Sequence, residues 1–159
     1  MSDEVMTATT TVAAPIETVF GVLADPALHQ DIDGTGWVRE AVDPARLTAS
    51  GEIFRVAMYH ENHPDGHYEM ANRVEAFSPP QVISWRPGQV DRQSGELGFG
   101  GWSWRYDLTT TGDDTTEVTL TYDWSAVPAS LREHIAFPPF PAAHLENSLA
   151  HLAQLAATR

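Results

Sequence analysis

GWSWRYDLTT at residues 101–110 and TTEVTLTYDWS at residues 115–125 decide the fold. Large apolar residues alternate with polar ones in both: Trp102, Trp104, Tyr106 and Leu108 in the first, Val118, Leu120, Tyr122 and Trp124 in the second. Successive side chains of a strand point to opposite faces, so this period of two predicts a pair of half-buried strands. Gly112-Asp113-Asp114 supplies turn residues between them, which makes the pair an antiparallel hairpin. One face is aromatic and buried. The other, with Arg105, Asp107, Thr119, Thr121 and Asp123, is solvated.

The same alternation recurs upstream in Phe54, Val56, Met58 and His60, with Arg55 on the opposite face. Strands are predicted over 5–12, 37–42, 51–60, 67–77, 82–86, 101–110 and 115–125. Between them lie the turn signals Pro64-Asp65-Gly66, Ser78-Pro79-Pro80, Pro87-Gly88, and Gly98 with Gly100-Gly101. After the first strand, Ile16, Val19, Phe20 and Leu23 recur at helical spacing behind Pro15, which suits a first helical turn. Asp25-Pro26 ends that helix, and Pro26 opens a second short one that stops at Asp33-Gly34-Thr35-Gly36. Downstream come a short amphipathic piece, 131–135, and the stiff Phe137-Pro138-Pro139-Phe140-Pro141. The last segment, 142–157, sets Leu145, Leu149, Leu152 and either Leu155 or Ala156 along one stripe. That helix can cover the aromatic sheet face. The expected fold is α+β: a curved seven-stranded antiparallel sheet around a long C-terminal helix, with two short helices after the first strand.

At 159 residues and 42% hydrophobic content, the chain is expected to form a single domain over 1–159, able to bury about 70% of its unfolded surface. Cysteine is absent, which removes disulfides, thiolate nucleophiles and cysteine metal sites. The net charge is −13 and all nine basic residues are isolated arginines, so no stripe exists to neutralise phosphates and nucleic acid is excluded as a partner. No apolar run approaches the roughly 20 residues of a membrane span, and Met1-Ser2-Asp3-Glu4 lacks the basic and apolar segments of a signal peptide. The expectation is a cytoplasmic protein without membrane insertion, monomeric or homodimeric.

Several segments resemble one superfamily more closely than topology alone requires. Ala14-Pro15-Ile16-Glu17-Thr18-Val19-Phe20 through Ala24-Asp25-Pro26, with Asp33-Gly34-Thr35-Gly36, is similar to the opening of bacterial START-like (SRPBCC) proteins. Asn72-Arg73-Val74, Phe77-Ser78-Pro79, Ile83-Ser84-Trp85, Trp104-Arg105-Tyr106 and Thr121-Tyr122-Asp123-Trp124-Ser125 carry the likeness along the chain. The branch it resembles is the polyketide cyclase/dehydrase and lipid-transport group. The resemblance implies the helix-grip fold and an internal apolar cavity. It implies no shared catalytic residue, because carriers, cyclases and chaperone-activator homologues share this fold.

Candidate ligand-binding residues are those predicted to face the interior: Phe54, Met58, His60, Asn72, Trp85, Trp102, Trp104, Tyr106, Tyr122, Trp124, Leu145, Leu149 and Leu152. Rigid rings can contact a planar or acyl molecule while a few polar groups orient it. The competing reading is a filled core. His60 and Asn72 are the polar members, and His60, Tyr106 or Tyr122 are the groups suited to proton transfer. His60, Glu61, His63, Asp65 and His67 are ligand-capable but match no metal spacing and flank a turn, so no metal or other cofactor is expected. Asp31 to Gly36 starts like a calcium loop, but Val42 stands where a bidentate Glu is required. Gly95 to Gly101 lacks the Lys-Ser/Thr of a phosphate loop. Its Leu97 and Phe99, expected to be exposed, would form with the Phe137–Pro141 stretch the lip of a cavity.

Three functions remain open at this point: a binder or carrier of a small hydrophobic molecule (polyketide, aromatic metabolite or lipid), a cyclase or dehydratase, or a protein interaction module.

Overall fold

Alternating β-branched and aromatic residues form eight strands among the described residues of the computed structural model, which are 4–33, 37–43, 45–59, 66–90, 93–133, 137, 140 and 143–158. They are β1 (Val5–Val12), β2 (Val38–Ala41), β3 (Ile53–Tyr59), β4 (His67–Ser78), β5 (Val82–Val90), β6 (Leu97–Phe99), β7 (Ser103–Gly112) and β8 (Thr115–Asp123). All pairings are antiparallel, and the sheet order is β1-β8-β7-β5-β4-β3-β2, with β6 paired to β5 off this path. Seven strands thus make a curled antiparallel half-barrel, where a curved seven-stranded antiparallel sheet was expected from the sequence.

The eighth strand corrects the expected punctuation. Pro87-Gly88 does not end β5, which continues to Val90. β5 pairs with β7 through Trp85 and with β6 from Gly88 onward, so Pro87, which has no N–H for a ladder, sits where β5 changes partner. A Cβ on Gly88 would stand 2.7 Å from the Gly98 carbonyl oxygen, so β6 can approach only a glycine there. Leu97 and Phe99 are accordingly half-buried in a strand rather than exposed at a lip.

Two helical pieces follow β1 as expected: α1 (Ile16–Leu23), then a 3₁₀ turn (Pro26–Leu28) running into α2 (His29–Ile32). Pro15 precedes the first turn of α1, and Asp25 caps the 3₁₀ turn by accepting the Ala27 N–H at 3.1 Å. After β8 come α3 (Ala129–Arg132) and the long α4 (Ala143–Ala157). α4 packs on β1, α1 and α2 with Leu145, Leu149, Leu152 and Ala156 buried, which resolves the end of the apolar stripe in favour of Ala156 over the half-buried Leu155. Burying each leucine stabilises the fold by about 2 kcal/mol.

The sheet interior grades from closed to open. Leu108, Val118 and Leu120 on β7 and β8, Ile83 on β5, Val74 on β4 and Phe54 on β3 are buried. Toward the other end of the same inner face, Met58, Tyr68, Trp85 and Trp104 are only half-buried. The outer face carries exposed ion pairs such as Arg55 with Asp43 at 2.8 Å and Arg86 with Glu75 at 2.9 Å.

Candidate functional site

Two histidines enter the aromatic interior from helices. His29, from α2, stacks on Trp85 with centroids 5.0 Å apart and meets Phe54 edge-on at 5.4 Å. Its Nε2–H donates to the Leu23 carbonyl at 2.8 Å. Burial pushes its pKa below the ordinary imidazole value, against that hydrogen bond and the Asp25 charge, so the ring is neutral at pH 7. Tyr106 reaches the same group through Trp85, 5.8 Å away. Asn72 lies opposite Phe54 in the β3–β4 ladder.

His144, the second residue of α4, is 5% exposed. Its ring lies 4.5 Å from Phe140 and meets Trp104 edge-on at 5.6 Å. Trp104 stacks on Phe140 at 5.7 Å and approaches Tyr122 at 4.5 Å, while Tyr122 adjoins Phe140 at 4.9 Å and Trp124 at 5.6 Å. Trp37 closes the group, 6.3 Å from Phe140. Within these walls the His144 Nδ1 is buried with no hydrogen-bond partner among the described residues, and Nε2 stands 4.0 Å from Asp33 Oδ1.

Local structure explains why the carboxylate is there. Asp33 directly follows α2, its N–H donating to the His29 carbonyl at 3.0 Å and its Oδ2 accepting the Val38 N–H at 3.2 Å. His151 of α4 donates from Nδ1 to the Ile32 carbonyl at 3.1 Å, which fastens α2 to the helix that carries His144. Carboxylate and imidazole are thereby held by two helices rather than by one flexible loop.

The charge of Asp33 is felt by three groups. Burial lowers the His144 pKa, with Asp33 opposing, and the positive end of α4 further favours a neutral ring. Burial raises the phenol pKa of Tyr106 and Tyr68, and Asp33 adds to both shifts. Tyr122 is raised by burial alone. At neutral pH the phenols therefore stay protonated. A carboxylate facing Nε2 favours the tautomer with its proton there, leaving a lone pair on Nδ1.

The residues singled out from sequence distribute over this interior unevenly. Phe54, Trp85 and Tyr106 gather around His29, with Asn72 opposite Phe54 in the ladder; Trp104, Tyr122 and Trp124 gather around His144 or its neighbours. Leu145, Leu149 and Leu152 are fully buried. Met58 sits half-buried on β3, opposite Tyr68 of β4. Trp102 lies elsewhere: its ring covers Gly100 and faces Phe137 at 5.7 Å. His60, with Glu61, His63 and Asp65, lies outside the described residues, and His67 packs edge-on against Tyr59 at 5.0 Å. Phe140, expected at a lip, is instead buried at the centre of the second aromatic group.

His29, His144, Asp33, Tyr68 and Trp37 were not among the sequence candidates. His144 had one faint signal, since with Ser148 it lies at helical spacing beside the leucine stripe; both are buried. Among the described residues no group of three His, Asp or Glu side chains can hold a metal ion, and no helix is long and apolar enough to cross a membrane.

Comparison with known proteins adds the fold and little else. The uncharacterized protein Rv0088 of Mycobacterium tuberculosis is 32% identical over 147 residues, 89% of this chain and 59% of its own length, and MT0096 from another strain of that organism is 31% identical over the same span. The chain therefore spans under two thirds of the curated relatives it matches. No family model matches it. Among solved structures, NE0264 of Nitrosomonas europaea superposes with a TM-score of 0.68 at 15% identity, covering 99% of this chain and 97% of that one. A protein from Arthrobacter aurescens gives 0.67 at 11% identity, covering 98% and 87%. The likeness is one of fold.

Proposed function

We propose that the chain is a START-like, helix-grip domain of the polyketide cyclase/dehydrase and lipid-transport kind, which binds or carries a small hydrophobic molecule on the concave aromatic face of its sheet. One observation carries this reading: Met58, Tyr68, Trp85 and Trp104, all on the inner face, remain half-buried while the opposite end of that face is closed. Large rings held rigidly by a sheet and left partly uncovered suit a planar or acyl ligand. A molecule that buries about 200 Å² of apolar surface there gains roughly 5 kcal/mol from leaving water.

Native mass spectrometry of gently purified protein, followed by extraction and reloading from a mixture of lipids and planar aromatics, tests it. The expected result is a stoichiometric adduct weakened by Trp104→Ala. A bare mass with no uptake from the mixture would sink the proposal.

A second reading, a cyclase or dehydratase, draws on the Asp33–His144 pair beside the protonated phenols of Tyr68 and Tyr106. A neutral imidazole facing a carboxylate is suited to accept a proton, whereas Tyr106 and Tyr122 are suited to donate hydrogen bonds. Interaction through Leu97, Phe99 and Phe140 has less support, since Phe140 is buried and the other two are half-buried.

A further inference from the structure

We infer that Asp33 and His144 form a recognition site for a ligand hydroxyl, so that the molecule bound on the aromatic face is a hydroxylated aromatic, phenol or enol, whose O–H donates to His144 Nδ1. The inference rests on the binding reading above and specifies what that reading leaves open. Its basis is a mismatch between an atom and its surroundings. Buried polar atoms nearly always have a partner, and leaving one without costs about 1–3 kcal/mol. Nδ1 of His144 is such an atom among the described residues, 5% exposed as a residue and walled by Phe140 and Trp104. An apolar residue would fill that position at no such cost.

The polarity of the missing partner follows from the other side of the ring. Asp33 Oδ1 lies 4.0 Å from Nε2 and draws the imidazole proton to that nitrogen. Nδ1 then offers a lone pair, and its partner must be a donor. Trp104, stacked on Phe140 at 5.7 Å and 21° beside it, is itself only half-buried and leaves part of its ring uncovered for an aromatic or conjugated body. A carbonyl or ether oxygen, which can only accept, does not fit an atom that accepts.

Other features lead less far. The hollow of about 230 Å³ lined by Glu17, Thr18, Gly21, Val22, Leu28 and Arg46 includes none of these groups. His29 already donates to Leu23.

The test compares three probes of nearly one shape, naphthalene, 2-naphthol and 2-methoxynaphthalene, by equilibrium dialysis at roughly pH 8, where an imidazole of ordinary or lowered pKa is neutral. The expected result is that 2-naphthol binds roughly fivefold more tightly than naphthalene, the effect of one net hydrogen bond, and that the methyl ether gains nothing. His144→Leu and, independently, Asp33→Asn are expected to abolish the preference, read within each variant as the ratio of its 2-naphthol to its naphthalene affinity. The amide introduced by Asp33→Asn can keep the contact but present an N–H to Nε2, which moves the imidazole proton to Nδ1. Equal binding of naphthalene and naphthol, an ether as tight as the naphthol, or a preference that survives both substitutions would overturn the hydroxyl site and leave the apolar binder standing. Failure of all three probes to bind would overturn the hydroxyl site, while uptake from the lipid and aromatic mixture decides the apolar binder.

Discussion

His29 and His144 occupy similar surroundings and end in opposite states. Each leaves a helix, is more than nine-tenths buried, lies against tryptophan and phenylalanine rings, and titrates below the ordinary value because burial disfavours its charge. His29 spends its Nε2 proton on the Leu23 carbonyl 2.8 Å away, within its own chain segment. His144 faces a carboxylate at 4.0 Å, and its second nitrogen has no partner among the described residues. A buried histidine that closes its own hydrogen bonding serves the fold. One that leaves an atom open at a stability cost is, on the proposal above, there for a ligand.

On that division, the two residues should trade effects on stability and binding. The largest effect is expected for His29→Leu, which leaves the Leu23 carbonyl without its donor and removes the stack on Trp85; a loss of about 2 kcal/mol in denaturant unfolding is expected. An unchanged midpoint would break the contrast. His144→Leu removes an unpartnered polar atom from an apolar wall, so stability should hold or rise by about 1 kcal/mol. A loss as large as that of His29→Leu would make both residues structural.

Acid sharpens the comparison further. Both folded pKa values lie below the unfolded one, so between them the unfolded chain binds more protons. Stability is therefore complete above about pH 6.5 and declines as pH falls from there through the folded values, by at most about 1.4 kcal/mol per histidine for every pH unit between its unfolded and folded pKa. Denaturation midpoints measured across that window should fall in the wild type and flatten when both histidines are replaced by leucine. A wild-type midpoint that rises on acidification contradicts the account. Naphthol preference should vanish over the same window, because a protonated Nδ1 cannot accept. Asp33 acts electrostatically on His144, Tyr68 and Tyr106, and the raised phenols stay protonated throughout. The smallest effect is expected at Arg55→Gln, whose exposed pairing with Asp43 should leave both unfolding and binding unchanged within error.

The sheet was legible because its signal is local. Trp102 to Leu108 and Val118 to Trp124 alternate with a period that only a half-buried strand satisfies, and the stripe Leu145, Leu149, Leu152 repeats at helical spacing. Where the reading missed, the competing cause lay in a neighbour. Pro87-Gly88 has the composition of a turn, yet β5 continues because β6 supplies a new partner at Gly88. Phe140 sits in a proline-rich stretch with no periodicity, so nothing local announced that it would close the wall around His144.

The candidate site was less legible for the same reason. Asn72, Trp104 and Tyr122 could be placed indoors from alternation alone, but Asp33 read as a turn residue and His144 lay within the helix 142–157 but outside its leucine stripe. They are 111 positions apart in the chain. Their meeting depends on α2 docking against α4, through His151 and Ile32, and that docking has no sequence period. Periodicity determined which faces are buried, since burial of a strand or helix face is a repeating local property. Which polar atoms meet inside, and which one is left without a partner, was decided only when separate elements packed, since a hydrogen bond of 2.8 Å or a charge contact at 4.0 Å depends on positions that no single element controls.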